Sequence, residues 1–327
     1  MKSIQILCPV FREEDVILDF HDRLLRAVEP LRGAYRLSFV YVVDPGGDRT
    51  ERILLDLASR CDEVRVLVMS RRFGHQAALM AGIDACEADA LVMLDSDGQH
   101  PPELIPELLA QWESGAQIVQ TIRRDGGETR FMKRVTSALF YRLISRIGSI
   151  DLRAGAADYR LLDRVVLDVI RSQLPERNMF LRGVVAWVGY RIQFIEFAPA
   201  PRLQGASKYR TSILVNFAVQ GISSFSKTPL RLCTLTGLVV ALASVLTGLG
   251  LVIAYLAGFG VDAAGWASLM TFISLLGGLQ LFFMGIFGEY LGQVFDEVKA
   301  RPRYLVALDS EATQHPPPAA TPGIDHA

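Results

Sequence analysis

The sequence predicts an α/β fold: a mostly parallel sheet covered by helices on both faces, followed by a hairpin of two apolar helices. Two observations predict it. Short, nearly continuous apolar runs alternate with amphipathic stretches through the first 120 residues. Such runs read as strands buried on both faces, which is the environment of a parallel sheet. The second observation is where charge is missing. From Leu232 to Gly288 the one charged residue is Asp262, whereas about a quarter of the remaining residues are charged, the usual soluble proportion. The mean hydropathy of +0.27 is therefore an average over a soluble part and an apolar one.

In chain order, strands are expected at Ile4–Val10, Leu37–Val43, Val64–Ser70, Ala90–Leu94 and Gln117–Thr121. Helices are expected at Arg12–Val28, Thr50–Arg60, His75–Cys86 and Pro102–Glu113. The expected domains are a catalytic region at 1–207, juxtamembrane amphipathic helices at 208–231, the hairpin at 232–288, and a C-terminal segment at 289–327. The tail from Asp309 is rich in Pro and Ala and is expected to be disordered. Within the hairpin, Gly258 to Gly265 separate spans of about 232–257 and 266–288. Each is longer than the roughly 20 apolar residues a bilayer crossing needs.

Lys208, Arg210, Lys227 and Arg231 precede the first span, and Lys299, Arg301 and Arg303 follow the second. The connecting loop has neither Lys nor Arg. The positive-inside rule then places both termini and the catalytic region on the cytoplasmic side of the inner membrane. Ile4–Val10 is too short for a signal peptide's apolar region and contains Pro9. Cys8, Cys61, Cys86 and Cys233 are scattered, which suits a reducing compartment and argues against a zinc knuckle. With 34 Lys and Arg against 35 Asp and Glu, nothing marks nucleic acid as a partner.

Ligands of parallel sheets gather at the carboxyl ends of the strands. Polar clusters follow the first four strands: Pro9-Val-Phe-Arg-Glu-Glu14, Val43-Asp-Pro-Gly-Gly-Asp-Arg-Thr50, Ser70-Arg-Arg-Phe-Gly-His-Gln76 and Leu94-Asp-Ser-Asp-Gly-Gln-His100. Each alone reads equally as a turn followed by a helix N-terminus. In this order and spacing they resemble the GT-A fold of the family 2 glycosyltransferases. Phe73-Gly-His-Gln-Ala-Ala-Leu79, Asp95-Ser-Asp-Gly-Gln-His-Pro-Pro-Glu-Leu-Ile-Pro106, Leu174-Pro-Glu-Arg-Asn178, Ala186-Trp-Val-Gly-Tyr190, Gly205-Ala-Ser-Lys-Tyr209 and Gly288-Glu-Tyr-Leu-Gly292 narrow the likeness. They resemble the polyprenyl-phosphate glycosyltransferases, including GtrB-like bactoprenol glucosyltransferases and relatives of dolichol-phosphate mannose synthase. The likeness spans residues 4–305.

The resemblance implies an inverting transfer of one sugar from a nucleotide-diphosphate sugar, with uridine favoured, to undecaprenyl or another polyprenyl phosphate. It implies Mg²⁺ or Mn²⁺ on Asp95 and Asp97, because these cations prefer carboxylate oxygen and act as Lewis acids on a leaving diphosphate. Asp97 is the firmer ligand. Gln99 is expected near the diphosphate or sugar, and Asp44 near the base or ribose. Pro9 and Glu13 form the first-strand turn beside the nucleotide. Gly98 stands where the family has a bulky apolar residue, which should loosen the loop. Asp158 matches the family's candidate base, with a positioning role or a structural ion pair to Arg160 as the other readings.

Acceptor phosphate is expected on Arg124, Lys133, Arg134, Ser137 and Lys208. The first four fall in a basic segment, 123–146, that reads as an amphipathic helix against anionic headgroups. His75 and His100 are expected in supporting roles beside the site rather than as ligands. The family also suggests a homotetramer. Two other readings are a processive polysaccharide synthase and an inactive lipid-carrier scaffold. The first would carry a Gln-x-x-Arg-Trp motif and more spans, and neither is seen; the second would be expected to lose the paired aspartates.

Overall fold

A computed structural model describes residues 1–124, 153, 155–174, 176–177, 179–198, 227–257 and 265–311. The chain divides into two units, one holding residues up to 198 and from 302 on, the other residues 227–301.

The first unit is an eight-stranded sheet. Its strands are β1 (Lys2–Val10), β2 (Tyr35–Val43), β3 (Val64–Met69), β4 (Ala90–Met93), β5 (Ile118–Arg123), β6 (Ala156–Asp163), β7 (Ile192–Phe197) and β8 (Val306–Asp309). The spatial order is β7-β5-β6-β4-β1-β2-β3-β8. The first four strands pair in parallel, as expected, because each is followed by a crossover helix. These are α1 (Ile17–Val28), α2 (Thr50–Arg60) and α3 (His75–Asp84); α4 (Ile105–Glu113) follows β4 after a single 3₁₀ turn at Pro102–Leu104. β6 inserts antiparallel between β4 and β5, and β7 runs parallel to β5 on the outer edge. Two short helices, α5 (Arg164–Ser172) and α6 (Leu181–Trp187), fill the connection from β6 to β7.

The burial of β1 explains its sequence: from Ile4 to Val10 every residue is buried, and all but Gln5 are apolar. α1 covers one face through Ile17, Phe20, Leu24 and Val28, at the helical spacing of about 3.6. α3 lies close on β1, its Gly82 against the side chain of Leu7.

Two expectations change. The predicted helix from Arg12 starts at Ile17 instead, because Arg12 takes a left-handed backbone, φ 57°, that ends β1 in a turn. The tail expected to be disordered from Asp309 does not begin there. Leu305 O accepts the Ser70 N–H, and Val306–Asp309 adds to the open edge of β3. Arg65 forks onto Asp309 (3.1 and 2.7 Å), and Ser310 Oγ, buried, accepts the Val66 N–H at 2.9 Å. An exposed strand edge is thereby covered.

The second unit holds α7 (Thr228–Leu256) and α8 (Trp266–Lys299). Thr228–Gly250 and Phe272–Lys299 are long and apolar enough to cross a membrane, with mean hydropathies of 2.1 and 1.5. Leu232, Leu242, Leu281 and Phe282 lie exposed. In water such a surface would be an aggregation hazard, whereas lipid is its natural solvent.

Candidate active site

The chain runs β1, β2, β3 to one side and then crosses to β4 on the other side of β1. That reversal opens a crevice at the carboxyl ends of β1 and β4. The residues after these strands line it. Ser96, fully buried, donates its hydroxyl to Pro9 O (3.2 Å) and closes the floor of the crevice. Asp95 and Asp97 flank Ser96 and are half-buried. Asp97 Oδ1 accepts the Gln99 N–H at 3.0 Å across Gly98, whose φ of 80° is left-handed. Glycine at 98 therefore sets this turn rather than loosening it. Gln99 Oε1 in turn accepts from Arg123 Nη1 at 2.9 Å, so Arg123 faces this loop.

Glu13 adds a third carboxyl. Its Oε2 is buried without a hydrogen-bond partner. Burial foremost, and then the nearby charges of Asp97, Asp95 and Asp48, push its pKa up to about 8, against a lowering by Ser96. Paired carboxylates near a buried, orphaned carboxyl oxygen suit a hard divalent cation. Among the described residues no group of three His, Cys, Asp or Glu side chains is placed to hold a metal ion, so the protein would supply two ligands at most. A cation held by Asp95 and Asp97 would complete its shell with water and phosphate oxygens, as Mg²⁺ habitually does.

Asp44 is buried. Its Oδ1 and Oδ2 accept the N–H groups of Phe73 (2.8 Å) and Gly74 (3.0 Å), which ties the end of β2 to the loop before α3. Asp48 is engaged by the Thr50 hydroxyl, and the Thr50 oxygen accepts the Glu13 N–H at 2.9 Å. Arg12 Nε donates to Gly46 O (2.8 Å), joining the turn after β1 to the loop after β2.

Asp158, in β6, is as buried as Asp44. Arg160 Nη2 donates to its Oδ1 at 2.7 Å, and Arg182 forks onto it from α6 at 3.0 and 2.7 Å. His75 Nε2 stands 3.6 Å from Oδ2. Burial by itself would raise this acid's pKa; Arg182, His75 and Arg160 together hold it well below the ordinary range. A carboxylate so stabilised is a poor proton acceptor, so the geometry favours the positioning reading of Asp158 and includes the ion pair to Arg160. Arg182 carries no motif and could not be picked out from the sequence. The sequence offers the Asp158–Arg160 ion pair as one of its readings; the structure places both residues on one face of β6.

Of the residues expected to take acceptor phosphate, Arg124 pairs with Glu196 of β7 on the surface. Lys133, Arg134, Ser137 and Lys208 lie outside the described residues, as does most of the basic segment 123–146.

An α/β sheet with a crevice at its switch point, lined by paired aspartates, has the GT-A fold of glycosyltransferases. The sequence profile of Glycosyl transferase family 2 matches residues 5–171, and the chain belongs to that family. It is similar to the uncharacterized glycosyltransferase sll0501 of Synechocystis, with 41% identity over 93% of this chain and 95% of that one. It is also similar to the SfII prophage-derived bactoprenol glucosyl transferase of Shigella flexneri, 39% identical over 93% and 97%. The prophage bactoprenol glucosyl transferase homolog of Escherichia coli is 37% identical over 93% and 98%.

Proposed function

We propose that this protein moves a single sugar from a nucleotide-diphosphate sugar, with uridine as the base, to undecaprenyl or another polyprenyl phosphate at the cytoplasmic face of the membrane. The product would be a lipid-linked sugar for modification of cell-envelope glycans. The observation that carries this reading is the pairing in one chain of a carboxylate-lined GT-A crevice with two apolar helices. The similarity to bactoprenol glucosyl transferases extends over both parts, which supports a lipid acceptor. Positive flanks at both ends of the hairpin support cytoplasmic termini.

In this reading Asp95 and Asp97 hold Mg²⁺ or Mn²⁺, which would supply Lewis-acid stabilisation of the leaving diphosphate. Gln99, fixed by Arg123, lies beside that loop. Glu13, Pro9 and Asp44 shape the nucleotide end of the crevice. An acceptor phosphate oxygen attacks the anomeric carbon in line. The new bond is oxygen to carbon, the bond from carbon to the diphosphate oxygen breaks, and the nucleoside diphosphate leaves with the electron pair. The configuration inverts, so an α-linked donor gives a β-linked product. A phosphate monoester with second pKa near 6 is mostly dianionic at pH 7, so the attack needs no base. Asp158 then serves to keep Arg160, Arg182 and His75 in place. Arg124, Lys133, Arg134, Ser137 and Lys208 remain our proposal for the acceptor phosphate.

Membranes containing the protein, given labelled UDP-glucose and undecaprenyl phosphate, should yield solvent-extractable labelled lipid that chelator abolishes. Asp97→Asn removes a ligand itself and should lower the rate by at least the roughly 10- to 100-fold lost when a ligand's supporting partner is removed. Wild-type rates in Asp97→Asn would overturn the metal assignment. Label appearing only in polymer would favour a processive synthase.

A further inference from the structure

His75 is the first residue of α3, at the rim of the crevice, and its imidazole stands between two carboxylates, one in the loop after β4 and one in β6. Nε2 lies 3.6 Å from Asp95 Oδ1 and 3.6 Å from Asp158 Oδ2. Both separations exceed a formed hydrogen bond, so the ring is shared between two acceptors and a small rotation commits it to either.

The other imidazole beside Asp95 cannot take the same part. His100 Nδ1 accepts the backbone N–H of Asp95 at 2.9 Å, so that nitrogen carries no proton of its own. Its approach to Asp95 Oδ2 at 3.5 Å is therefore not a donation. The His100 ring is further fixed against Tyr159 and Phe197, at 5.3 and 5.8 Å between centroids. Of the two histidines, His75 is the one whose N–H can reach the Asp95 carboxylate. Asp158, forked by Arg182 and held by the fully buried Arg160, is fixed from behind and gives the His75 ring a rigid backstop.

We infer that His75 is a positioning residue for the cation site: braced by Asp158, it orients the Asp95 carboxylate for binding alongside Asp97. The inference rests on the proposed reading of Asp95 and Asp97 as cation ligands. Carboxylates that ligate metals are themselves oriented by hydrogen bonds, and loss of such a partner typically lowers affinity about 10- to 100-fold.

The test uses the full chain in detergent or nanodiscs and measures free Mn²⁺ by electron paramagnetic resonance in the presence of UDP, with no sugar or acceptor. His75→Phe keeps a ring of similar size without a donor and should weaken Mn²⁺ about 10- to 100-fold. His75→Gln places an amide N–H near the Nε2 position and should restore most of the affinity, which a merely structural role would not predict. His75→Asn, whose amide stops short, is the second variant should His75→Phe fail to fold, and it should bind Mn²⁺ as weakly. Wild-type affinity in folded His75→Phe or His75→Asn would overturn this inference alone. Absence of Mn²⁺ binding by the wild-type protein would remove the cation reading and this inference with it.

Discussion

Replacing Asp158 with Asn separates two roles that a loss of activity alone would confuse. The side chain is 5% exposed and its partner Arg160 is fully buried, so the pair is in the buried regime, not the surface one where ion pairs contribute roughly 0–1 kcal/mol. Removing one partner of a buried pair leaves an uncompensated charge and costs about 3–5 kcal/mol. Arg182, 38% exposed, can turn to water, whereas Arg160 cannot. The lower figure of about 3 kcal/mol is therefore expected, which for a unit of this size lowers the thermal midpoint by roughly 6–12 °C. Urea unfolding followed by the fluorescence of buried Trp112 measures it. Adding Arg160→Met should recover part of the loss, since an apolar side chain tolerates the site that a lone guanidinium does not. The pH dependence follows the same logic. The folded pKa of Asp158 lies below its ordinary value of 3.8, so its ion pairs stabilise the fold above that pH and are lost only as the pH falls further. Activity between pH 6 and 9 should then show no limb belonging to Asp158. An Asp158→Asn protein of unchanged stability, whose activity loss removes a limb in that range, would refute the reasoning and restore the general base.

Three other outcomes are expected. Gly82→Ala puts a Cβ within 2.1 Å of Leu7 Cδ1 and should destabilise by about 1–3 kcal/mol in a denaturant titration, partly relieved by Leu7→Ala. In chelator, the protein should lose stability as pH rises from 4.5 through about 8, because the folded Glu13 carboxyl keeps a proton that the unfolded chain releases; Glu13→Gln should flatten that decline in thermal melts. Ending the chain at Arg303 removes β8 and bares the edge of β3, so the protein should melt earlier and self-associate on size exclusion, while Asp309→Ala alone should cost only about 1 kcal/mol.

The four parallel strands could be read from sequence because burial on both faces leaves a continuous apolar run; the strand ends then pointed to the loops, and the family resemblance picked Glu13, Asp44, Asp95, Asp97 and Gln99 within them. β6 escaped the same reading. Its run Ala156-Ala-Asp-Tyr-Arg-Leu-Leu-Asp163 places two charges at alternate positions, the pattern of a solvated face, yet both are buried because each neutralises the other. Arg182 completes that cluster from a helix more than twenty positions away, a proximity that no local pattern encodes. β8 is only four residues long and precedes a Pro-rich tail, so composition masked a strand that exists because β3 offers it an open edge.

The acids of the crevice fall into two electrical groups. Asp158 and Asp44 are already satisfied, one by guanidinium groups and the other by backbone amides. Glu13, Asp95 and Asp97 lie close enough to one another that their mutual field helps hold a proton on Glu13. A divalent cation would turn that repulsion into attraction and draw the proton off Glu13. Its binding should therefore release protons and tighten as pH rises toward 8, opposite to the stability of the metal-free chain.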